Sequence, residues 1–416
     1  MTTQQHSIQK QVLNIHFSSK EDHQRLSEEV KFVFENKTQE RISNLFDEII
    51  PADQIVVIDK LKIDLGKISQ NGIEEKLPEL LLQALEIELR ELVEESNINA
   101  SSKEIQLKNK GKAVGEAFIF FLLSGQWPWW FPLESMGSIE NEILKIKDKS
   151  FSSTLKKMLV SPKVRERLSL QFSLPFFRHI IERLASNENV SFSEKLDNGS
   201  DRISLLKALS SYYNNKITNH TKGETSLKRI STSEQIILDA ERKVSEYYKE
   251  GIFIKNAGLI LIWPYLDCFF YKLSLIEEDQ FVSETAKIRA VLLLQFLATG
   301  KTEFSESELL LNKILCRLAI DEAVPNEITL AEVERSESDI LLLTMIKHWS
   351  ALKNTSIAGL QETFFQRDGK LSRVDGGWLL QIEEKAVDVL LSHLPWSISM
   401  VKLTWMEEMV WVEWGR

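Results

Sequence analysis

Between Leu394 and Arg416 the chain crowds Trp396, Trp405, Trp411 and Trp414 into one short stretch, Leu-Pro-Trp-Ser-Ile-Ser-Met-Val-Lys-Leu-Thr-Trp-Met-Glu-Glu-Met-Val-Trp-Val-Glu-Trp-Gly-Arg. Chain ends ordinarily fray and carry polar filler, so an end this rich in large apolar side chains has to be docked against something. Two readings meet that demand. In one, a terminal strand pair completes a domain core; in the other, the stretch is an edge that captures a partner.

A length of 416 residues with 43% hydrophobic side chains suits two or three domains with real cores. The 51 Lys+Arg against 61 Asp+Glu leave a net charge of −10, which opposes binding to phosphate backbones because no excess cation is present to release counterions. Nucleic acid is therefore excluded as the expected partner. Cys268 and Cys316 both sit in apolar runs and make neither a disulfide framework nor a ligand set. Met1 to Ile8 lacks the basic-then-apolar pattern of a secretory signal, so synthesis in the cytoplasm is expected. The run from Ala117 to Phe131 is divided by Gly125 and Pro128, and that from Gly258 to Phe270 by Pro264 and Asp267, so neither reaches the roughly 20 residues a bilayer requires.

Periodicity gives the organisation. Leu13, Ile15 and Phe17 alternate as a strand, Leu26, Val30 and Val33 recur as a helix, and Gln54 to Leu65 alternates again, with Ile55, Val57, Asp59, Leu61, Ile63 and Leu65 on one face before Gly66. Leu77, Leu80, Leu81, Leu85 and Leu89 mark an amphipathic helix over 72–94. Residues 95–112 read as a linker. Short helices follow at 113–124, 139–146, 153–160, 163–172 and 175–185, and others at 234–249, 259–273, 284–297, 306–318, 330–351 and 357–365. Between these groups, 187–232 turns to Asn, Ser, Lys and Thr, with one apolar patch at 203–209. Strands at 371–374 and 378–383 flank the turn Asp375-Gly376-Gly377. The expected fold class is α+β, predominantly helical: an N-terminal β-α-α-β-α module, a helical middle, and a helical C-terminal domain ending in a small strand region. Its expected domains are an α/β module at 1–95, a helical segment at 113–186, a polar mobile linker at 187–232, and a helical domain with C-terminal strands at 233–416.

Motifs for chemistry are weak. Thr299-Gly-Lys-Thr302 mimics part of a phosphate loop, but Gln295 stands where the loop requires glycine, and a helix precedes it where a strand should, so Gly300 reads as a helix stop. The histidines have no spacing that aligns two ligands on one helical face, and no Gly-x-Ser-x-Gly occurs. Asp59 and Asp64 fall on opposite strand faces and do not converge. No cofactor, metal or catalytic residue is assigned. Trp127, Trp129 and Trp130 read as a core corner or an aromatic platform, and with Trp396, Trp405, Trp411 and Trp414 they are the candidate docking residues.

Several strings, in order, carry a family likeness: His6-Ser-Ile, Ile58-Asp-Lys-Leu-Lys-Ile-Asp-Leu-Gly66, Phe121-Leu-Leu-Ser-Gly-Gln-Trp-Pro-Trp-Trp130, Asn256-Ala-Gly-Leu-Ile-Leu-Ile-Trp-Pro-Tyr-Leu, Arg289-Ala-Val-Leu-Leu-Leu-Gln-Phe-Leu-Ala-Thr-Gly300, Glu308-Leu-Leu-Leu-Asn-Lys-Ile-Leu-Cys316, Trp349-Ser-Ala-Leu-Lys-Asn-Thr-Ser356, Phe364-Phe-Gln-Arg-Asp-Gly369, Leu394-Pro-Trp-Ser-Ile-Ser and Trp411-Val-Glu-Trp414. The chain resembles the tape measure proteins of contractile injection systems, the phage-tail-like particles of the antifeeding prophage and Photorhabdus virulence cassette type. It departs from them locally, with Leu403-Thr-Trp405 where Leu-Pro-Trp is usual and Arg317 where glycine is usual. The resemblance implies a non-catalytic structural or assembly component, tied to tail assembly or length determination, with tail tube, sheath or baseplate proteins as partners. An assembly chaperone or cargo-loading adaptor of the same system is the alternative, and a homo-oligomer is a further option. Incorporation into the particle is part of what the likeness implies. Drawn into one helix, the chain would reach about 620 Å, but its glycines, prolines and strand signals predict folded domains in place of an extended ruler.

Overall fold

A single leucine stripe organises the N-terminal part of the computed structural model, which describes residues 6–8, 11–16, 23–51, 54–58, 60–68, 73–98, 105–132, 135–185, 201–220, 242, 244 and 246–415. The chain divides into two compact units, Met1–Glu116 with Trp129–Glu134, and Ala117–Pro128 with Ser135–Arg416. In the first, α1 (His23–Val33), a π-helical turn (Phe34–Thr38) and α2 (Gln39–Ile49) precede β1 (Gln54–Ile58), α3 (Ile73–Ile98) and β2 (Ile105–Asn109). Helix α3 carries Ile73, Leu77, Leu81, Leu85 and Leu89 at intervals of four, the spacing that stacks side chains on one face. Ile73 and Leu77 meet Leu26 and Val33 of α1, while Leu81, Leu85 and Leu89 meet Phe34 and Ile42.

Three local expectations change here. Residues 11–16 hold no strand, and Val12, Leu13 and Ile15 are exposed; alternation alone does not make a strand without a hydrogen-bonded neighbour. Phe17 lies outside the described residues. The second strand stops at Ile58, although Leu61, Ile63 and Leu65 still alternate inward against the α2–α3 core. Its partner is β2, antiparallel from Gln54↔Asn109 to Ile58↔Ile105 and inside the stretch read as a linker.

Helix α4 (Lys110–Ser124) leads out of this unit. In the second unit follow α5 (Met136–Lys145), α6 (Lys149–Met158), α7 (Pro162–Gln171), α8 (Leu174–Ala185) and α9 (Arg202–His220), close to the predicted spans through α8. Their starts are set locally. Ser135 Oγ accepts from Ser138 N, Asp148 accepts from Ser150 N at 2.8 Å, and Pro162 occupies the first turn of α7, where its missing N–H costs nothing. Phe118 packs edge-on against Phe172 and Phe176, which joins α4 to the α7–α8 corner. Helix α9 lies in the middle of the 187–232 stretch and buries Leu205, Leu209 and Tyr213, where sequence composition shows only a short apolar patch. Residues 187–200 and 221–232 lie outside the described residues.

Downstream, β3 (Ile252–Ile254), a 3-10 helix (Ala257–Tyr265) and α10 (Leu266–Lys272) lead to the hairpin β4 (Ile276–Glu277)–β5 (Gln280–Phe281), then α11 (Glu284–Thr299), α12 (Leu310–Leu315), α13 (Glu332–His348) and α14 (Ile357–Leu360). Helix α11 is the centre: every residue from Ala290 to Ala298 is buried, as expected of a helix apolar on all sides. Gly258 lets the 3-10 helix approach the turn after α14, because a Cβ there would sit 1.6 Å from Phe364 O. Strands β6 (Gly369–Val374) and β7 (Gly377–Ile382) form the predicted hairpin, and β8 (Met400–Val401) and β9 (Met409–Trp414) complete a sheet of order β3-β6-β7-β9-β8. Only β7 and β9 run parallel, with Gly377↔Met409 through Ile382↔Trp414 in register; the long return through residues 383–408 makes that direction reachable. The architecture is α+β and predominantly helical, with its main sheet near the C-terminus. No described helix is long and apolar enough to cross a membrane.

Candidate functional site

The aromatic stretch completes the C-terminal core. Trp405 is 1% exposed, packs on Phe270 and Phe281, and donates its indole N–H to Leu315 O at 2.9 Å. Trp396 is half-buried, edge-on to Tyr265, and donates to Leu261 O at 3.0 Å. Trp414 is half-buried at the end of β9, where it donates to Asp388 Oδ2 at 3.0 Å. That carboxylate also binds the fully buried Arg367 and the Lys385 N–H, and the Arg367 guanidinium lies 5.7 Å from the Trp414 ring centre. The indole N–H of each of these tryptophans is spent inside the fold, as buried indoles require. Trp411 sits in mid-β9, level with Leu379 and Met400, and stays half-buried.

The other candidates fall in two places. Trp127, in the second unit, is buried and stacks on Phe121 at 4.3 Å and 12°. Trp129 and Trp130, in the first unit, are half-buried, and Lys108 Nζ lies 4.5 Å from the Trp130 ring centre.

A charged cluster in the second unit escaped sequence reasoning. Arg167 on α7, Glu306 in a 3-10 turn (Glu306–Glu308) and Lys313 on α12 are each fully buried. Arg167 grips both oxygens of Glu306 at 2.9 and 3.0 Å and donates to Leu122 O and Asp321 O, both at 2.6 Å. Lys313 Nζ donates to Glu306 Oε1 at 2.6 Å and to the carbonyls of Ile320 and Glu322 at 3.1 and 2.7 Å. The Glu306 N–H donates to Gln171 Oε1 at 2.9 Å. Burial alone would push the Glu306 carboxyl up, but the Lys313 ammonium and the Arg167 guanidinium outweigh it and hold it below the usual glutamate range. Burial draws the Lys313 ammonium down, and Glu306 partly offsets that shift. The three acceptors around Nζ match the three N–H donors of an ammonium. Gly125, at φ +74°, leaves the room: a Cβ there would lie 2.2 Å from Glu306 Oε1. Nothing in Lys-Val-Arg-Glu-Arg-Leu marks Arg167 for the interior, because its periodic neighbours read as an ordinary charged helix face.

This cluster ties α4 and α7 to the core around α12, and its charges are spent on one another. A groove of about 680 Å³ lies beside it, lined by Tyr248, Asp321, Arg373, Trp378 and Glu408 among others. There Arg373 holds both Glu408 oxygens at 2.5 Å and stands 4.9 Å over Trp378. Among the described residues no group of three or more His, Cys, Asp or Glu could hold a metal ion. His348 meets the Tyr265 hydroxyl at 3.0 Å and His6 meets Asp47 at 2.7 Å. Cys316 is fully buried, with its thiol pushed up by desolvation. Gly300 adopts φ +70° as the left-handed cap of α11, so the Thr299-Gly-Lys-Thr string is a helix stop. Asp64 accepts the Gly66 N–H at 2.9 Å, and Asp59 lies outside the described residues.

No curated protein and no solved structure matches the chain. A family model described as contractile injection system tape measure protein matches residues 5–226 and 206–414.

Proposed function

This chain belongs to the contractile injection system tape measure protein family, and we propose that it works without catalysis, as a structural or assembly part of the tail in tail assembly or length determination. The observation that carries this reading is the family match across almost the full length. The state of the buried charges supports it: Arg167, Glu306 and Lys313 saturate one another and present no group for proton transfer or attack. Partners are tube, sheath or baseplate proteins, met by half-buried aromatic faces such as Trp411, Trp129 and Trp130. The chain is made in the cytoplasm and built into the particle. Its longest described helix has 26 residues, about 39 Å at 1.5 Å per residue, which favours length control exerted with other components over a ruler spun from this chain alone.

The net charge of −10 supports a second reading, a chaperone or cargo adaptor that binds tail components transiently. Fractionation separates the two. A built-in part sediments with purified particles, whereas a chaperone stays in the lysate. Absence from particles, together with normal tail length by electron microscopy in a deletion strain, rejects the structural role. Strains carrying shortened or lengthened 187–232 segments report whether that stretch tunes tail length.

A further inference from the structure

Helix α13 is apolar on both sides. Its inner face buries Ser338, Leu341, Leu342, Met345 and Ile346. The ridge directly opposite, Val333, Ser336, Ile340, Leu343 and Lys347, recurs at alternating intervals of three and four, the spacing of a helix-pairing seam. Surface helices ordinarily carry polar residues on that ridge. Here Val333, Ile340 and Leu343 are 57%, 45% and 56% exposed.

The charges beside the ridge select its occupant. Glu337 is paired to Lys272 at 2.8 Å, Glu334 is paired to Arg289, and Arg335 lies over Phe296, so these three side chains are engaged within the same chain, while Asp339 stands exposed beside Ile340. At the two ends of the ridge stand Glu332 and Lys347, both exposed. Val333 and Lys347 are equidistant from Ile340 in sequence, so the ridge is nearly symmetric about that residue. We propose that α13 docks antiparallel on α13 of a second copy of this chain, about a two-fold axis at Ile340. Antiparallel pairing sets Val333 level with Lys347 of the second copy and Glu332 beside the same ammonium, and two-fold symmetry makes that contact twice. The Lys347 stem covers Val333 while its charge reaches Glu332. Parallel pairing would oppose like charges at Glu332, Asp339 and Lys347 alike and align the helix dipoles unfavourably, whereas antiparallel pairing opposes only the two exposed Asp339 carboxylates against two attractive end contacts. A foreign helix carrying one sign of charge would satisfy only one end.

The test uses the purified full chain, so its outcome is independent of particle assembly. Light scattering and sedimentation over a concentration series should show a dimer. Ile340→Glu should yield monomer with an unchanged melting temperature, since Ile340 lies on the outer ridge. Glu332→Lys and Lys347→Glu should each weaken the dimer severalfold at low salt, and the two together should restore it. A wild-type chain that stays monomeric at the highest concentration, a dimer indifferent to Ile340→Glu, or a combined charge reversal that fails to restore association would each overturn the proposal.

Discussion

At the scale of single residues, the buried Arg167–Glu306–Lys313 cluster gives the sharpest expectations. Glu306→Gln removes the one anion between two desolvated cations, so it should destabilise the second unit by about 3–5 kcal/mol in denaturant titrations. The same carboxylate predicts a pH dependence. Its folded pKa lies below the ordinary glutamate value, so its contribution is complete above about pH 4.3 and disappears as pH falls through the folded value. Wild type should therefore lose stability on acidification more steeply than Glu306→Gln, and parallel acid profiles for the two proteins would remove Glu306 from the account. Gly125→Ala should cost about 1–2 kcal/mol from its left-handed backbone alone, and more because the new methyl meets Glu306 Oε1. Gly125 was legible in the sequence only as a break in an apolar run. That it makes space for a carboxylate could not be read there, since Glu306 is remote in sequence and meets it only through packing.

Among the elements, those governed by local rules were the readable ones. Helices α4 to α8, the Gly300 cap and the β6–β7 hairpin emerge close to their predicted bounds, because periodicity, caps and turn glycines act over a few residues. Strands β2, β3, β4 and β5 were missed, as each is short and exists by virtue of a neighbour, whereas β8 and β9 fall in the stretch expected to end as a strand pair. Conversely, residues 11–16 have the alternation of a strand but no sheet partner among the described residues. The aromatic stretch was legible as a docked element, while the parallel pairing of β9 with β7 was not. Its tryptophans should divide by role. Trp405→Ala empties a buried, hydrogen-bonded site and should cost about 3–5 kcal/mol in thermal or chemical unfolding. Trp411→Ala, from a half-buried site, should cost clearly less. Loss of particle assembly by Trp411→Ala with near-unchanged melting would mark that face as an interface, whereas assembly that merely tracks stability would assign it to packing.

For the whole molecule, two compact units with separate apolar cores predict unfolding in more than one step. Calorimetry should resolve two transitions, with Trp405→Ala lowering one and leaving the other in place; a single transition that shifts as a whole would show the units to be coupled. The family, the predominance of helix and the absence of an obvious catalytic motif could all be drawn from the amino-acid order, because strings, periods and caps are properties of neighbouring residues. The tertiary structure alone decided which charges are buried, which strand lies beside β9, and which side of α13 is left facing water. Those outcomes depend on desolvation and on partners far apart along the chain, and no local pattern encodes where a distant carbonyl, carboxylate or strand edge will arrive.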